Sequence, residues 1–496
     1  MKAVLIFWIR LFYLSILTTS VWACSDDIND TIINEGEIDI LPGMNVVGRI
    51  TDGANPIEGV VVSDGYSVVD TDKNGIYQMR ASRKANFVYI SIPADCEIPV
   101  DENGCPLHYQ SIELQTNKVL RKDFSLKKIE VQKNFRLLAF ADVQIDTEAH
   151  IVRLEKEIPS IVNYVEQLKD QPIYGISLGD LGWDNMDIYS TYKKYIGQLN
   201  IPFFSVIGNH DHNENIIDQD MNADYEFKEA FGPTYYSYNI GNCHFVVLDD
   251  VLYKNRKKYD ATITNDQLKW LKKDLSYVDK NKLIIIAVHI PIERRNSNNA
   301  LTNKDDLYKI LDGFNNVRIL SGHSHNNYTT NHLNAPHIEE NTLGAISGSL
   351  WYKDTSICND GSPSGYAIYE IEDNKIKNWY YKGIHTSKDY QIQLYKPGSD
   401  ISGRYPNDVL INIFTWHDNW KRVELYEDGK WIKSLTSNVK IMDPMAYSAL
   451  DGDLDRIEKN NDHMFRYTPS NEWSTIEIKT EDAYGNKYES KIKNDL

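Results

Sequence analysis

Five apolar runs in the middle of the chain each stop at a side chain able to ligate a metal, and this pattern constrains the fold more than any other feature. The runs are RLLAFADVQ (136–144), YGISLGD (174–180), FFSVIGNHD (203–211), KLIIIAVH (282–289) and VRILSGHSH (317–325). Amphipathic helical stretches such as IVRLEKEIPSIVNYVEQLKD and ITNDQLKWLKKDLSYV stand between them, which is the signature of α/β layering. In an open α/β fold the C-terminal ends of the strands face one crevice, so residues distant in sequence converge there. A single histidine after a strand is more often a core or surface residue than a ligand. Five such endings together reverse that reading.

The 496 residues exceed what one core supports, and the patterning divides them. Residues 42–128 carry short β-branched runs (NVVGRI, GVVVSDG, NFVYISI) between Gly, Asp and Asn turns, as in a small antiparallel sandwich. This segment resembles the carboxypeptidase-regulatory-like or transthyretin-like sandwich. Its acidic turn Asp70–Asn74 reads as a β-turn rather than a calcium loop, because no bidentate Glu closes it. The α/β pattern occupies 133–382. From 383 to 496 short strands rich in Tyr, Trp and Val return (VLINIFTW, KRVELYEDGKWI), predicting a second β accessory domain.

Residues 1–24 combine basic residues, a short apolar stretch and small residues ending at Ala23-Cys24, which predicts an export signal. Val21–Cys24 resembles a bacterial lipobox, and the following Ser25-Asp26-Asp27 resembles the acidic tag of surface lipoproteins. The resemblance implies a lipid anchor on Cys24, display on the outer membrane or cell surface, or otherwise a periplasmic location. Residues 25–41 are acidic and aperiodic, as suits a spacer. Of the remaining cysteines, Cys96 and Cys105 are close enough in sequence to pair, while Cys243 and Cys358 stand apart. A net charge of −18 without a basic patch argues against nucleic acid as a polymer partner, yet a cluster of cations can still draw a phosphate into an acidic protein.

The strand-end motifs Asp142-Val143-Gln144, Gly179-Asp180, Gly208-Asn209-His210-Asp211, His289 and Gly322-His323-Ser324-His325 resemble, in order, those of the calcineurin-like metallophosphoesterases. The resemblance implies a central four-layer β-sandwich flanked by helices, with β accessory domains on either side. It implies two divalent cations (Mn, Fe, Zn or Mg, with Mn favoured). Asp142, Asp180 and His325 would hold the first, and Asp180, Asn209, His289 and His323 the second. A hydroxide shared by the two cations would attack the phosphorus of a small-molecule, glycan or lipid phosphate ester. Gln144 stands where the family usually has a histidine ligand, and its neutral amide oxygen tilts the first site from Zn towards Mn or Mg. His210 is the expected general acid, oriented by Asp184 or Asp211.

Asn209 is also placed to touch substrate, as are Arg294 and Arg295, although adjacent arginines in a loop are more often solvated. The turn-rich loop 359–366, with Trp183, Trp351 and Tyr352, either covers the site or forms the hinge to the C-terminal domain. Monoesterase and diesterase use the same two cations and are not separated by these motifs. The alternative reading is a catalytically silent surface-binding module that works through its flanking β domains.

Overall fold

The strand Asn134–Phe140 alternates its side chains between two different cores, and this splits the middle of the molecule into layers. Phe135, Leu137 and Ala139 face a second sheet, while Leu138 and Phe140 face helices. Eleven strands of this region are labelled here in chain order: β1 (Asn134–Phe140), β2 (Ile173–Leu178), β3 (Phe203–Val206), β4 (Tyr236–Ile240), β5 (Cys243–Val247), β6 (Leu283–Ala287), β7 (Val317–Ser321), β8 (Tyr328–Asn331), β9 (Ile338–Thr342), β10 (Gly365–Glu372) and β11 (Lys375–Gly383). One sheet runs β3-β2-β1-β10-β11, the other β4-β5-β6-β7-β9-β8. Strands β1, β2 and β3 are parallel, as are β5, β6, β7 and β9, so their C-terminal ends point the same way within each sheet. The computed structural model describes residues 38–217, 220–255, 258–293, 300–353 and 355–494. The export segment, Cys24 and nearly all of the acidic spacer lie outside them, as do Arg294 and Arg295.

Helices cover both outer faces. The helix Glu148–Glu166 starts at Thr147, whose side chain accepts from the His150 amide at 3.3 Å, and it turns Leu154, Ile158, Ile161 and Val165 towards the first sheet. Its Pro159 is exposed, so the missing N–H falls on the solvent side. The helices Asn265–Asp274 and Lys304–Leu311 bury Leu268, Leu271, Leu307 and Leu311 in the other core. Every residue of β6 (LIIIA) is buried, as a strand covered on both faces requires.

Two β-sandwiches flank these layers. The N-terminal one pairs a sheet containing Val46–Thr51 and Ile76–Met79 with another containing Val61–Ser63 and Phe87–Ser91. At the Asp70–Asn74 turn, Asp72 Oδ1 accepts from the amides of Asn74 (2.8 Å) and Ile76 (2.9 Å), an ordinary Asx-type turn. This domain docks on β4. Ile92 bridges to Tyr238, Tyr235 donates its hydroxyl to Gly65 O at 2.8 Å, and Trp270 Nε1 donates to Ser63 Oγ at 3.0 Å. Trp270 is 1% exposed, so Trp270→Ala is expected to cost about 3–5 kcal/mol by opening a cavity at this junction. Urea denaturation monitored by circular dichroism measures it; a midpoint unchanged from the parent would show that the junction carries no stability.

The C-terminal sandwich packs Val409, Ile411, Phe465, Ile476 and Ile478 between its two sheets. It meets the central layers through Tyr484, whose hydroxyl accepts from Arg318 Nη2 at 3.0 Å, and Asn486, whose Nδ2 donates to Asn378 Oδ1 at 2.7 Å. The expected Cys96–Cys105 pair is not formed: Cys96, Cys105, Cys243 and Cys358 are all free thiols. Cys96 packs in the core that contains the N-terminal sandwich, whereas Cys105 packs with Leu138 and Phe203 against the other face of the first sheet, so nearness in sequence does not bring the sulfurs together. No described helix is long and apolar enough to cross a membrane.

Candidate metal centre

The loops after β1, β2, β3, β6 and β7 gather Asp142, Gln144, Asp180, Asn209, His289, His323 and His325 at one end of the two sheets. Six residues in these loops hold the left-handed backbone that side chains disfavour: Asp142 (φ 49°), Gln144 (47°), Asp180 (52°), Asp184 (56°), His323 (67°) and His325 (54°). Each costs on the order of 1–3 kcal/mol and persists only where the surroundings enforce it, a concentration typical of functional sites. The motif glycines permit the close approach. A Cβ on Gly208 would lie 2.2 Å from Asp180 N and Oδ1, and one on Gly179 would lie 2.5 Å from His289 Nδ1. Gly208→Ala is therefore expected to destabilise by about 1–3 kcal/mol through overpacking and to displace Asp180. Thermal denaturation together with a turnover assay measures both, and wild-type values in the two would refute the steric account.

Asp180, His289 and His323 bring ligand atoms within 4.8 Å of one another. His289 is fully buried, and its Nδ1–H donates to Leu178 O at 2.8 Å, which aims Nε2 into the centre. There Nε2 meets Asn209 Oδ1 at 3.1 Å, His323 Nδ1 at 3.1 Å and Asp180 Oδ1 at 3.3 Å. One proton can serve only one of these atoms; a cation serves all of them. The same demand for positive charge appears in the pKa of His289. Burial works against its protonation, but Asp180 and Asp142 overcome that and push it up to about 10.

Asp142 and His325 form the adjacent part. His325 Nδ1–H donates to Gly348 O at 2.5 Å, which leaves Nε2 facing Asp142 Oδ1 at 3.6 Å. Both Asp142 oxygens accept from the His323 amide, at 3.0 and 2.8 Å. Gln144 faces the cluster: its Nε2 donates to Asp180 Oδ2 at 2.9 Å, and its buried Oε1 has no hydrogen-bond partner. An orphaned buried amide oxygen beside two carboxylates fits a metal ligand. Burial raises the pKa of Asp142, while His289 and His210 outweigh burial at Asp180 and hold it well below the usual range.

His210 is mostly buried beside this cluster. Its backbone N–H donates to Asp180 Oδ1 at 2.9 Å, its ring Nδ1 pairs with Asp184 Oδ1 at 2.9 Å, and Trp183 meets it edge-on at 5.6 Å. Burial opposes the imidazolium, but the charge of Asp180 and the hydrogen bond to Asp184 prevail and raise its pKa. Asp211 is elsewhere. Its carboxylate accepts from the amides of Leu181 (3.1 Å), Gly182 (3.1 Å) and Gly208 (2.9 Å) and from the Tyr189 hydroxyl (3.1 Å), so it clamps the two loops together and does not touch the His210 ring. Of the two acids considered for orienting His210, Asp184 is the one in place.

Two further groups escape sequence reasoning. Asp250, after β5, accepts from the amides of His289 (3.2 Å) and Ile290 (2.9 Å) and so sets the loop that presents His289. Tyr259 lies 6.3 Å edge-on from the His323 ring, on the hairpin Val251–Asn255/Lys258–Ala261. Strand alternation carries no sign of either role. Trp351 does not cover the site; it is buried, donates Nε1 to Val143 O at 2.8 Å and lies under Arg153. Tyr352 packs against Arg456 of the C-terminal domain. The loop 359–366 runs along the domain junction, where Asn359 N donates to His325 O at 3.1 Å and Asp360 O accepts from Asn412 and Asn461.

Three family models cover most of the chain: the N terminal of calcineurin-like phosphoesterase at 44–129, calcineurin-like phosphoesterase at 135–327, and the C terminal of calcineurin-like phosphoesterase at 340–488. The chain is 26% identical over 195 residues to a probable glycerophosphodiester phosphodiesterase, GpdQ, of Arcobacter nitrofigilis; the match covers 36% of this chain and 66% of the relative's length. Among solved structures it resembles the purple acid phosphatase PPD1 of yellow lupin (Lupinus luteus) seeds, with 13% identity, a TM-score of 0.37, and 66% and 67% of the two chains covered. It also resembles GAP50, the anchor in the inner membrane complex of Plasmodium, with 16% identity, a TM-score of 0.36, and 51% and 85% covered. With its N-terminal, catalytic and C-terminal parts all matched in order, the chain belongs to the calcineurin-like phosphoesterase family.

Proposed function

We propose that this protein hydrolyses phosphate esters with two divalent cations, Mn favoured. Asp142, Gln144, Asp180 and His325 would hold one, and Asp180, Asn209, His289 and His323 the other. The observation that carries the reading is His289 Nε2, which sits among Asp180, Asn209 and His323 with its other nitrogen already committed to Leu178 O. Divalent cations in such a site supply Lewis acidity to phosphoryl oxygens and lower the pKa of water.

The chain's own groups do the rest. Gln144 and the His210 amide both donate to Asp180, and these bonds fix the rotamer of the carboxylate that would bridge the cations. Asp184 accepts the Nδ1 proton of His210, so that Nε2 can carry the proton delivered to the leaving alcohol. Asn209 contributes a neutral amide near the phosphoryl group. We further propose that export and a lipid on Cys24 put this activity on the cell envelope, which mass spectrometry of the mature N-terminus decides.

The test combines elemental analysis with turnover. Purified protein is expected to bind two equivalents of metal, to lose activity on dialysis against a chelator, and to regain it with Mn²⁺ on 4-nitrophenyl phosphate or bis(4-nitrophenyl) phosphate. Relative rates on these two esters separate monoesterase from diesterase. Glycan binding with no metal and no turnover on either ester would instead support a silent surface-binding module.

A further inference from the structure

Of the three aromatic residues that the sequence sets near the centre, Trp351 and Tyr352 pack elsewhere, and Trp183 is the one that reaches it. Trp183 stands where the loops after β1, β2 and β3 join. Its backbone N–H donates to Ile145 O at 3.2 Å, and its neighbour Gly182 bridges to Ile145. On the other side Asp184 is bound to His210 twice: its N–H donates to His210 O at 3.0 Å, and its carboxylate holds the imidazole at 2.9 Å. The indole therefore stands 5.6 Å from the His210 ring on a backbone pinned at both ends, which spares a ligand the cost of ordering it.

This position serves no core. Trp270, Trp351, Trp379, Trp420 and Trp473 are buried in apolar clusters, whereas Trp183 is half-buried and belongs to no apolar cluster among the described residues. Trp270 and Trp351 donate their Nε1–H groups to Ser63 and Val143; that of Trp183 has no acceptor among the described residues. His210 is partly exposed as well, so one molecule can touch both rings. The surrounding loops narrow what that molecule is. Residues 141–147, 179–188 and 207–216 contain no Lys or Arg to receive a second anion. The carboxylates at the same junctions are already engaged, Asp184 with His210 and Asp146 with His150 at 2.7 Å, which leaves neither free for an ammonium group. An apolar face and one N–H donor remain.

We propose that Trp183 selects the leaving alcohol, by packing its indole against an alcohol that carries a flat, uncharged ring close to the ester oxygen. The proposal rests on the phosphoesterase reading above. An oxygen that takes its proton from His210 lies about 3 Å from the imidazole nitrogen, so the carbons attached to it come alongside the indole. Aromatic rings in such contact attract each other beyond the area they bury.

The full-length Mn²⁺-loaded protein tests it on benzyl phosphate, ethyl phosphate, phosphocholine and 4-nitrophenyl phosphate. Benzyl alcohol and ethanol are of similar acidity, so their esters differ in the ring and little in leaving-group chemistry. The wild-type protein is expected to prefer benzyl phosphate over both ethyl phosphate and phosphocholine. Trp183→Ala is expected to lower the ratio of kcat/KM on benzyl phosphate to that on ethyl phosphate about tenfold, through KM, a loss of roughly 1.4 kcal/mol in binding. Trp183→Phe keeps an aromatic face and should hold the ratio within about threefold of wild type. Wild-type preference for ethyl phosphate or phosphocholine, or an unchanged ratio in Trp183→Ala, overturns the proposal. So does a loss in Trp183→Ala that falls on kcat and is larger for ethyl than for 4-nitrophenyl phosphate, because Trp183 would then act only through His210. Failure of the wild-type protein to hydrolyse even 4-nitrophenyl phosphate sinks the phosphoesterase reading instead, so the two failures are distinguishable.

Discussion

Asp180→Asn is expected to abolish turnover, lowering kcat/KM on 4-nitrophenyl phosphate with saturating Mn²⁺ by more than about a hundredfold, since loss of groups that merely support metal ligands already costs 10–100-fold. Asp180 is 1% exposed and is engaged from three sides: Gln144 Nε2 donates to Oδ2, the His210 amide donates to Oδ1, and His289 Nε2 lies 3.3 Å from Oδ1. An asparagine cannot be negatively charged, so the centre loses the anion that both candidate sites share. It also brings an NH₂ group into a space where Gln144 and His210 already present donors. Metal content should fall below two equivalents along with activity. Full activity in Asp180→Asn with both metals retained would remove the bridging role, and with it the arrangement proposed for the whole centre.

His210→Ala is the second large effect, and its size should depend on the leaving group. Delivery of a proton by a positioned side chain is typically worth 10²–10⁴-fold. An alkyl alcohol leaves as a strongly basic alkoxide unless it is protonated, so its ester should lose about that factor. 4-Nitrophenolate is a far better leaving group and should lose much less. Asp184→Asn should reproduce part of the leaving-group dependence, because Asp184 holds the Nδ1 side of the same ring at 2.9 Å. Kinetics on a matched series of aryl and alkyl esters read this out, and equal losses across the series would mean that His210 only shapes the site. Asp211→Asn serves as a contrast: its carboxylate takes three backbone amides, so its replacement should reduce stability with no leaving-group dependence.

The legibility of the site in the sequence follows from its construction. Each candidate ligand stands two to four residues beyond a strand, and the strand ends of parallel sheets share one side of the molecule by topology alone. Apolar runs that end in Asp, Asn and His therefore name the converging residues without any knowledge of distance. The glycines were visible as motif letters, but the reason for them was not. Only the packed loops show that Gly208 has Asp180 against its Cα and that Gly179 has the His289 ring against it.

What stayed hidden depends on contacts between loops, which strand periodicity does not encode. Asp184 and Asp211 are equally plausible partners of His210 in the sequence, one 26 residues before it and the other adjacent. The turn after β3 directs the adjacent one back onto the Leu181 and Gly182 amides and leaves the distant one beside the ring. Cys96 and Cys105 are nine residues apart, yet a sheet separates the cores they enter. Asp250 acts on His289 from 39 residues away through two backbone amides.

The sequence by itself therefore determined the layered α/β class, the flanking β domains and the identity of the residues that the strand ends deliver, because hydrophobic periodicity and strand polarity are local properties. Tertiary structure alone decided which acid meets His210 and which nitrogen of His289 and of His325 turns inward. Those outcomes are set by side-chain packing and hydrogen bonds between segments far apart in the chain, where a difference of a few ångströms decides which group is reached.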